Sequence, residues 1–572
     1  SLGTARSMIP MSFRLMLCLT LLVAALPAAS EPMSTTVQAQ QGEEGQEAST
    51  RAAGSDPRQQ AREVAEEHLE LTQPEKLLIR RPDRERPKHQ IVFPLFGRPL
   101  VLGGRYTLLP RYEGNKLRDF DYSDLDNQDV DEDGDLTEIE DLARGLTPRD
   151  DQLRINQGLQ TDLFYAYSND ASIYAEMKFF YRALVWAENV PTRDEFLVER
   201  GETWFYLGNL FDTPFGLQVG RQRFFDAREW WWDQDLDSIR LRFDLKDFHA
   251  EIAVAHELFP VVLNRGGIDP EDDDMVQVLA AARWGWAKKQ EVGFFALYRN
   301  DYSDQQLVDP LALCVSESDY VGPPEGLATF RTGCVGFEDD SDSQLTWLGV
   351  SASGRRKVPG WGRIEYWLDA AAVFGDETFT EYSGMTGSRI VELVDTHSVS
   401  GGGLDIGGTW FLPLFGRTSL TAGYAYGSGD PGMEEFRDTG FRQTGLQDNS
   451  DRFRGVASFR YYGELLDPNL SNLHVVTAGV GLRFLEKSSI DLVYHWYRQA
   501  HAAPFMHDVD FKRDPTGLSP DIGQEWDLIL GLEEMDRLEF KVVASIFRPG
   551  EAFVPEKGDL AYLVSFRFRF NF

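Results

Sequence analysis

The C-terminal segment LAYLVSFRFRFNF, Leu560 to Phe572, alternates without a break. Leu560, Tyr562, Val564, Phe566, Phe568, Phe570 and Phe572 fall on one face, and Ala561, Leu563, Ser565, Arg567, Arg569 and Asn571 on the other. Successive side chains of a strand point to opposite sides, so this is one strand with an aromatic face and a polar, cationic face. As an edge strand of a water-soluble sheet it would expose a greasy ribbon and invite aggregation. In a membrane barrel the pattern is what the solvent demands, with the apolar face against lipid and the polar face toward the lumen.

Working outward, similar segments occur at about 98–112, 152–168, 171–188, 196–209, 215–223, 236–245, 247–258, 275–287, 289–300, 344–354, 361–375, 402–413, 416–427, 452–462, 473–485, 488–499, 524–534, 537–548 and 559–571. That makes nineteen, whereas bacterial single-chain barrels have an even number of strands, short periplasmic turns and longer external loops. Starting from a periplasmic N-terminus, long and short connections alternate correctly through residue 427. Counting 452–462 as a span puts the tight turn near Lys487 outside and the long stretch 500–522 inside; omitting it restores the alternation. The expected fold is therefore all-β: a transmembrane antiparallel β-barrel of about 18 strands over residues 96–572, with long extracellular loops. Residues 428–472 form one of these loops and fold over or into the pore. A terminal phenylalanine on such a strand resembles the assembly signal of bacterial outer-membrane barrels, which places the chain in that membrane with lipid around it.

Composition agrees. The chain has 572 residues, of which 26% are charged, and past the extreme N-terminus there is no apolar run near the ~18 residues that a spanning helix needs. Aromatic residues at 12% and 51 glycines suit tilted strands, aromatic girdles and tight turns. A net charge of −35 argues against nucleic acid as a partner, because that binding needs clustered Lys and Arg. Residues 1–30 read as a secretory signal peptide: Arg14, an apolar run from Leu15 to Leu26, then Ala28-Ala29-Ser30. Residues 31–95 are mostly Gln, Glu, Arg and Pro rich and are expected to be a periplasmic polar linker. Cys18 lies in the removed segment, and Cys314 and Cys334, twenty apart in one polar loop of an exported chain, point to a disulfide rather than a metal site.

A charge facing the bilayer midplane costs roughly 2–4 kcal/mol, so parity assigns the lumen side of each strand. Arg105, Arg111, Lys178, Arg182, Arg240, Arg242, Lys541, Arg567 and Arg569 point inward, and closure of the last strand on the first gathers Lys541, Arg567, Arg569, Arg105 and Arg111 on one wall. Inward acids sit mainly on later strands: Glu365, Asp369, Asp491, Glu525, Asp527, Glu533 and Glu539. A basic wall in a wet pore offers a polyanion replaceable counterions, and opposing acids would keep it from sticking. The alternative is that these charges pair across the lumen and only hold it together.

Several longer motifs stand in order along the barrel: GRQRFFDAREWWWDQDLDSIRLRFD (Gly220 to Asp244), QLTWLGVSASG (Gln344 to Gly354), YAYGSGD (Tyr424 to Asp430), QTGLQDN (Gln443 to Asn449), SIDLVYHWY (Ser489 to Tyr497), DIGQEWDL (Asp521 to Leu528) and FRPGEAF (Phe547 to Phe553). Together they resemble the alginate-export family. The resemblance implies an eighteen-stranded barrel with an arginine-lined pore and places Arg223, Asp233, Lys541 and Arg105 at pore positions. Arg221 and Arg223 share parity with Leu217 and Val219, so the strand is expected to end or bulge before them. There are also departures from the family pattern. An arginine expected in the fourth strand is Gly201, with Arg200 beside it, and another falls on Ser450, with Arg452, Arg454 and Arg460 as stand-ins. The periplasmic turn that covers the pore in the family is only Glu534 to Asp536 here.

One loop carries a different signal. In DVDEDGDLTEIE, Asp129, Asp131, Asp133, Asp135, Thr137 and Glu140 fall at the spacings of a twelve-residue Ca2+ loop, with Gly134 at its sharp turn. Bound calcium would order this first external loop. The functional expectation is a non-enzymatic channel, sufficient as a monomer and assisted by a periplasmic export scaffold, that passively exports an anionic, alginate-like polysaccharide. An uptake porin for small anions or sugar acids is the alternative. No nucleophile elbow, nucleotide loop or metalloprotease helix is present, and inward His495 reads most simply as a polar lumen residue.

Overall fold

The computed structural model describes residues 91–115, 151–168, 170–187, 192–264, 268, 272, 274–303, 341–383, 390–413, 417–432, 436–453, 455–507, 509, 511, 514–553 and 559–572. The signal peptide, most of the linker, the Asp129 to Glu140 loop, Cys314, Cys334 and Arg454 lie outside the described residues.

The strands are β1 Ile91–Leu95, β2 Arg98–Gly114, β3 Gln152–Ala166, β4 Ala171–Ala187, β5 Arg193–Leu207, β6 Phe215–Phe225, β7 Asp233–Leu245, β8 Phe248–Ala255, β9 Met275–Ala287, β10 Gln290–Asp301 and β11 Ser341–Val358. They continue with β12 Gly362–Ser383, β13 Ile390–Phe411, β14 Ser419–Gly427, β15 Arg437–Asp438, β16 Ser450–Asp451, β17 Phe459–Arg460, β18 Leu473–Arg483, β19 Ser488–Gln499, β20 Asp521–Leu532, β21 Leu538–Pro549 and β22 Ala561–Asn571. Eighteen of them, β2 to β14 and β18 to β22, pair antiparallel in chain order, and β22 closes on β2. Gly104 and Phe572 exchange backbone hydrogen bonds of 2.9 and 3.0 Å at the end of this seam. The doubtful segment 452–462 is not a span. It contributes β17, half of a two-residue ladder with β16 inside the loop between β14 and β18.

Exposure along the wall is the inverse of a soluble protein. Ile239 and Leu241 are exposed while Arg240 and Arg242, beside them in β7, are each only 1% exposed. Such a pattern is stable only where the outer solvent is lipid.

Two differences from the sequence reading concern strand ends. Ile91–Leu95, counted with the linker, is a strand: Phe96 and Gly97, at φ 50 and 74, turn it back on β2 as a two-residue hairpin. It occupies the stretch of β2 that lies beyond the end of β22, so the edge there is not left unpaired. Strands β12 and β13 run 22 residues each, about 70 Å at ~3.3 Å per residue, where about 10 tilted residues cross a membrane. Their length beyond a crossing is under no demand for apolar alternation, and so the pattern missed it.

The largest apolar core lies inside the barrel. Trp230, Trp231 and Trp232 pack with Phe441, Phe459, Tyr461, Tyr462, Leu465, Leu466 and Leu470, all buried. These residues come from two connections, 226–232 and 428–472, both folded into the lumen.

Candidate functional site

The inward fold of the first connection begins at Gly220. This residue has φ +119, and a Cβ there would lie 2.2 Å from the Thr203 carbonyl oxygen, so only glycine fits. Pairing of β5 with β6 ends at Thr203↔Arg221, and pairing of β7 with β8 begins at Ser238↔Ala255, yet β6 and β7 stay in register out to Phe225↔Asp233. The outer half of this hairpin has therefore left the wall. The strand does not end before Arg221 and Arg223; it changes facing at Gly220, and both arginines line the lumen. In the gap, residues 261–263 take over the freed edge of β5, with Arg200 N donating to Val261 O at 2.9 Å and Leu263 N to Val198 O at 2.7 Å.

The hairpin tip crosses the lumen. Arg228, in the connection 226–232, donates to Asp405 of β13 at 2.6 Å, lies 3.3 Å from Asp369 of β12, and is sandwiched between Trp367 and Tyr461 at 4.4 and 4.5 Å. Trp231 stacks on Phe295 of β10 with centroids 4.9 Å apart. Two of the quoted motifs meet here. Asp233 N donates to Leu446 O at 2.5 Å, Asp448 N and Asn449 N each donate to Glu229 O at 3.1 Å, and Trp230 Nε1 donates to the Tyr462 hydroxyl at 3.0 Å. The tryptophan run and QTGLQDN are thus two sides of one plug.

What the plug leaves open is a cavity of about 710 Å³ against the strands β2–β7 and the seam β21–β22. Arg105, Arg111, Arg223, Asp233, Arg240, Lys541, Arg567 and Arg569 line it. The seam brings the wall together as parity required: Lys541 stands opposite Arg567 and Thr107 opposite Arg569 in the ladder. Arg105 donates to the Gln160 amide oxygen at 2.7 Å. Two expected residues stay off this cavity. Arg242 is sealed in the wall, 3.6 Å from Asp244, and Arg182 is half-exposed, 3.7 Å from Glu199. Arg240 reaches the cavity edge but is held by Glu251 at 2.5 Å. Neighbouring carboxylates decide these outcomes, and parity does not see them.

Lumen residues that the reading left out or only suggested also appear. Lys178, read as inward, bridges two acids that were left out, Glu176 and Asp235, at 3.1 and 3.0 Å, and Arg200 grips Asp237 with two hydrogen bonds of 2.6 and 2.7 Å. Arg200 reaches the cavity beside Gly201, where a Cβ would collide with Glu176 and where the β4–β5 register shifts. At the second departure, Ser450 and Arg460 face each other in the β16–β17 ladder and both line the cavity, so the arginine stands across from its expected place. Arg452 is not among the lining residues.

None of the seven inward acids named from the sequence lines the cavity. Glu365, Asp369, Asp491, Glu525 and Asp527 are buried, and Glu539 lies 3.7 Å from Arg569. Asp369 holds Arg228, and Glu525 accepts from Leu465 N and Leu466 N at 2.8 and 3.1 Å. His495, fully buried, sits between Thr477 and Asp527 at 3.0 and 3.4 Å. For this half of the lumen, charges that hold structure together are the correct description. The turn 533–537 is tied to its neighbour, with Lys487 N donating to Glu534 at 2.7 Å, and does not reach across the pore.

The alginate export family profile matches residues 178–562, about two thirds of the chain. The alginate production protein AlgE of Azotobacter vinelandii is 25% identical over 338 residues, covering 54% of this chain and 61% of that protein. The chain thus spans somewhat under two thirds of that relative's length. Among solved structures, OccAB4 of Acinetobacter baumannii (11% identity, TM-score 0.43) and OpdK of Pseudomonas aeruginosa with vanillate (10%, 0.43) each cover 82% of this chain and 98% of their own. The family match places the barrel among the alginate-export proteins of the outer membrane. The chain belongs to the alginate export family of outer-membrane β-barrels.

Proposed function

We propose that the barrel conducts an anionic, alginate-like polysaccharide outward by passive diffusion along the cationic wall. The observation that carries this reading is a local inversion of charge. The chain as a whole is at −35, yet eleven arginines and lysines and only eight carboxylates line the cavity. Low-dielectric walls focus such a field, raising the local concentration of anions. The carboxylates interspersed among the cations keep any single site from holding a uronate too long. The family's description, alginate export, supports the same cargo and direction, and the name of the Azotobacter relative supports a link to alginate. A single chain closes its own lumen, which supports a monomer as the working unit, and a periplasmic scaffold would deliver the polymer to the open turn end.

The test is single-channel conductance of the full-length refolded barrel in planar bilayers. Anion-selective current, blocked reversibly by oligomannuronate but not by neutral dextran of equal length, is expected. Anion current indifferent to oligomannuronate would instead make the barrel an uptake porin for small anions or sugar acids.

A further inference from the structure

Among the groups lining the cavity, one carboxylate is delivered to the cationic wall by the plug. Glu464 belongs to the inserted loop 428–472 and is fixed from both sides. Gly463 before it has φ +115, in a space where a Cβ would lie 2.3 Å from the Tyr497 hydroxyl. After it, Leu465 N and Leu466 N are bound by Glu525 at 2.8 and 3.1 Å. Tyr497 donates to the Tyr462 carbonyl at 2.7 Å, completing the anchor.

From this pinned turn the side chain reaches the wall, with Glu464 Oε1 2.7 Å from Lys541 Nζ. Lys541 stands opposite Arg567 in the ladder, and both line the cavity. Burial pushes the Glu464 carboxyl up, but Lys541, Arg460 and Arg111 together hold it below the ordinary carboxylate range, so it is ionised at neutral pH. The ion pair joins wall to plug on a surface that a polyanion would have to use.

We propose that Glu464 is a built-in counterion, occupying on Lys541 the position of a uronate carboxylate and displaced from it by each passing sugar acid. This rests on the reading of the cavity as a polyanion path. A substrate carboxylate arriving at a bare lysine would gain a whole ion pair and stay. Arriving at Lys541, it exchanges one carboxylate for another, and the net gain is small. Conduction needs sites that favour entry without preventing exit. Because its backbone is anchored, Glu464 yields by side-chain rotation alone and returns when the sugar has passed.

The experiment compares wild type with Glu464→Gln, Glu464→Asp, and the double variant Glu464→Gln with Lys541→Gln, each as the full chain refolded and checked by heat-modifiable migration. The probe is oligomannuronate of one defined length in planar bilayers. Glu464→Gln should raise anion over cation permeability and lengthen the residence time of each block about tenfold. Glu464→Asp, which withdraws the carboxylate by one methylene, should lengthen it less and serves if the glutamine variant does not fold. The double variant should return toward wild type, since the exchange partner is gone. An unchanged or shorter residence time in both single variants, with wild type blocked, would overturn the counterion role alone. A wild type that oligomannuronate does not block would overturn the polyanion path and the counterion role with it.

Discussion

Arg228→Met removes the group that fastens the inserted hairpin to the far wall. The guanidinium bridges Asp405 at 2.6 Å and Asp369 at 3.3 Å, and both carboxylates are 3% exposed. Methionine fills much of the volume between Trp367 and Tyr461 but leaves two buried carboxylates without their cation. Removing one partner of a buried ion pair costs about 3–5 kcal/mol. At 1.4 kcal/mol per decade, the docked hairpin loses about two to three and a half orders of magnitude against undocked states. The barrel itself should persist, because the eighteen-strand closure does not pass through Arg228. The expected result is a folded, heat-modifiable barrel with larger and noisier single-channel conductance, and with Trp230–Trp232 newly open to iodide quenching. Adding Asp369→Asn and Asp405→Asn to Arg228→Met should recover much of the wild-type behaviour, because it removes the uncompensated charge. Wild-type conductance and quenching in the single variant would refute the claim that this contact holds the plug.

Burial, with Asp272 and Asp237 adding and Arg221 and Arg200 opposing, pushes the Glu257 carboxyl up to about 7 from an ordinary value near 4.5. The folded state therefore binds the extra proton between these values, so this group's contribution to stability falls as pH rises from 4.5 through 7. Below pH 7 the neutral carboxyl leaves Arg221 less compensated, so reversal potentials should show stronger anion selectivity at pH 6 than at pH 8, with the difference absent in Glu257→Gln. Deleting Phe572 removes both backbone hydrogen bonds to Gly104, about 2 kcal/mol at ~1 kcal/mol each, from the closing seam. Less heat-modifiable barrel per unit of refolded chain is expected, and an unchanged yield would show that the seam closes without it. For the first external loop we propose calcium binding at Asp129, Asp131, Asp133, Asp135 and Glu140. Titration calorimetry should give one site per chain, abolished by Asp131→Asn combined with Glu140→Gln, whereas heat unaffected by those changes would place the ion elsewhere.

Much of the wall was legible in the sequence because lipid is an unforgiving outer solvent. Each crossing must alternate, so the period-2 pattern of Leu560–Phe572 and its counterparts reported nineteen candidate crossings, the alternation of long and short connections reduced them to eighteen, and parity reported which side chains face the lumen, Arg567 and Arg569 among them. The rule that a barrel has no free edge then placed the last strand against the first, bringing Lys541, Arg567 and Arg105 to one wall.

Inside the lumen that constraint vanishes. Residues 226–232 and 428–472 form no barrel strand, so periodicity does not mark them as a plug; the alternation at 452–462 even imitated a crossing, and Trp230–Trp232 stood out only as part of a motif. Asp369, Asp405 and Glu525 have the same inward parity as a pore-lining acid, and only the folded chain shows them consumed by Arg228, Leu465 and Leu466. Whether an inward charge is free, paired or sealed depends on partners tens to hundreds of residues away, as Arg228 and Asp405 are. The sequence by itself determined the barrel, its strand count and the side on which its cations lie. The tertiary structure alone decided which half of the lumen stays open and which of those cations border it, because long-range packing, and not local periodicity, fills a pore.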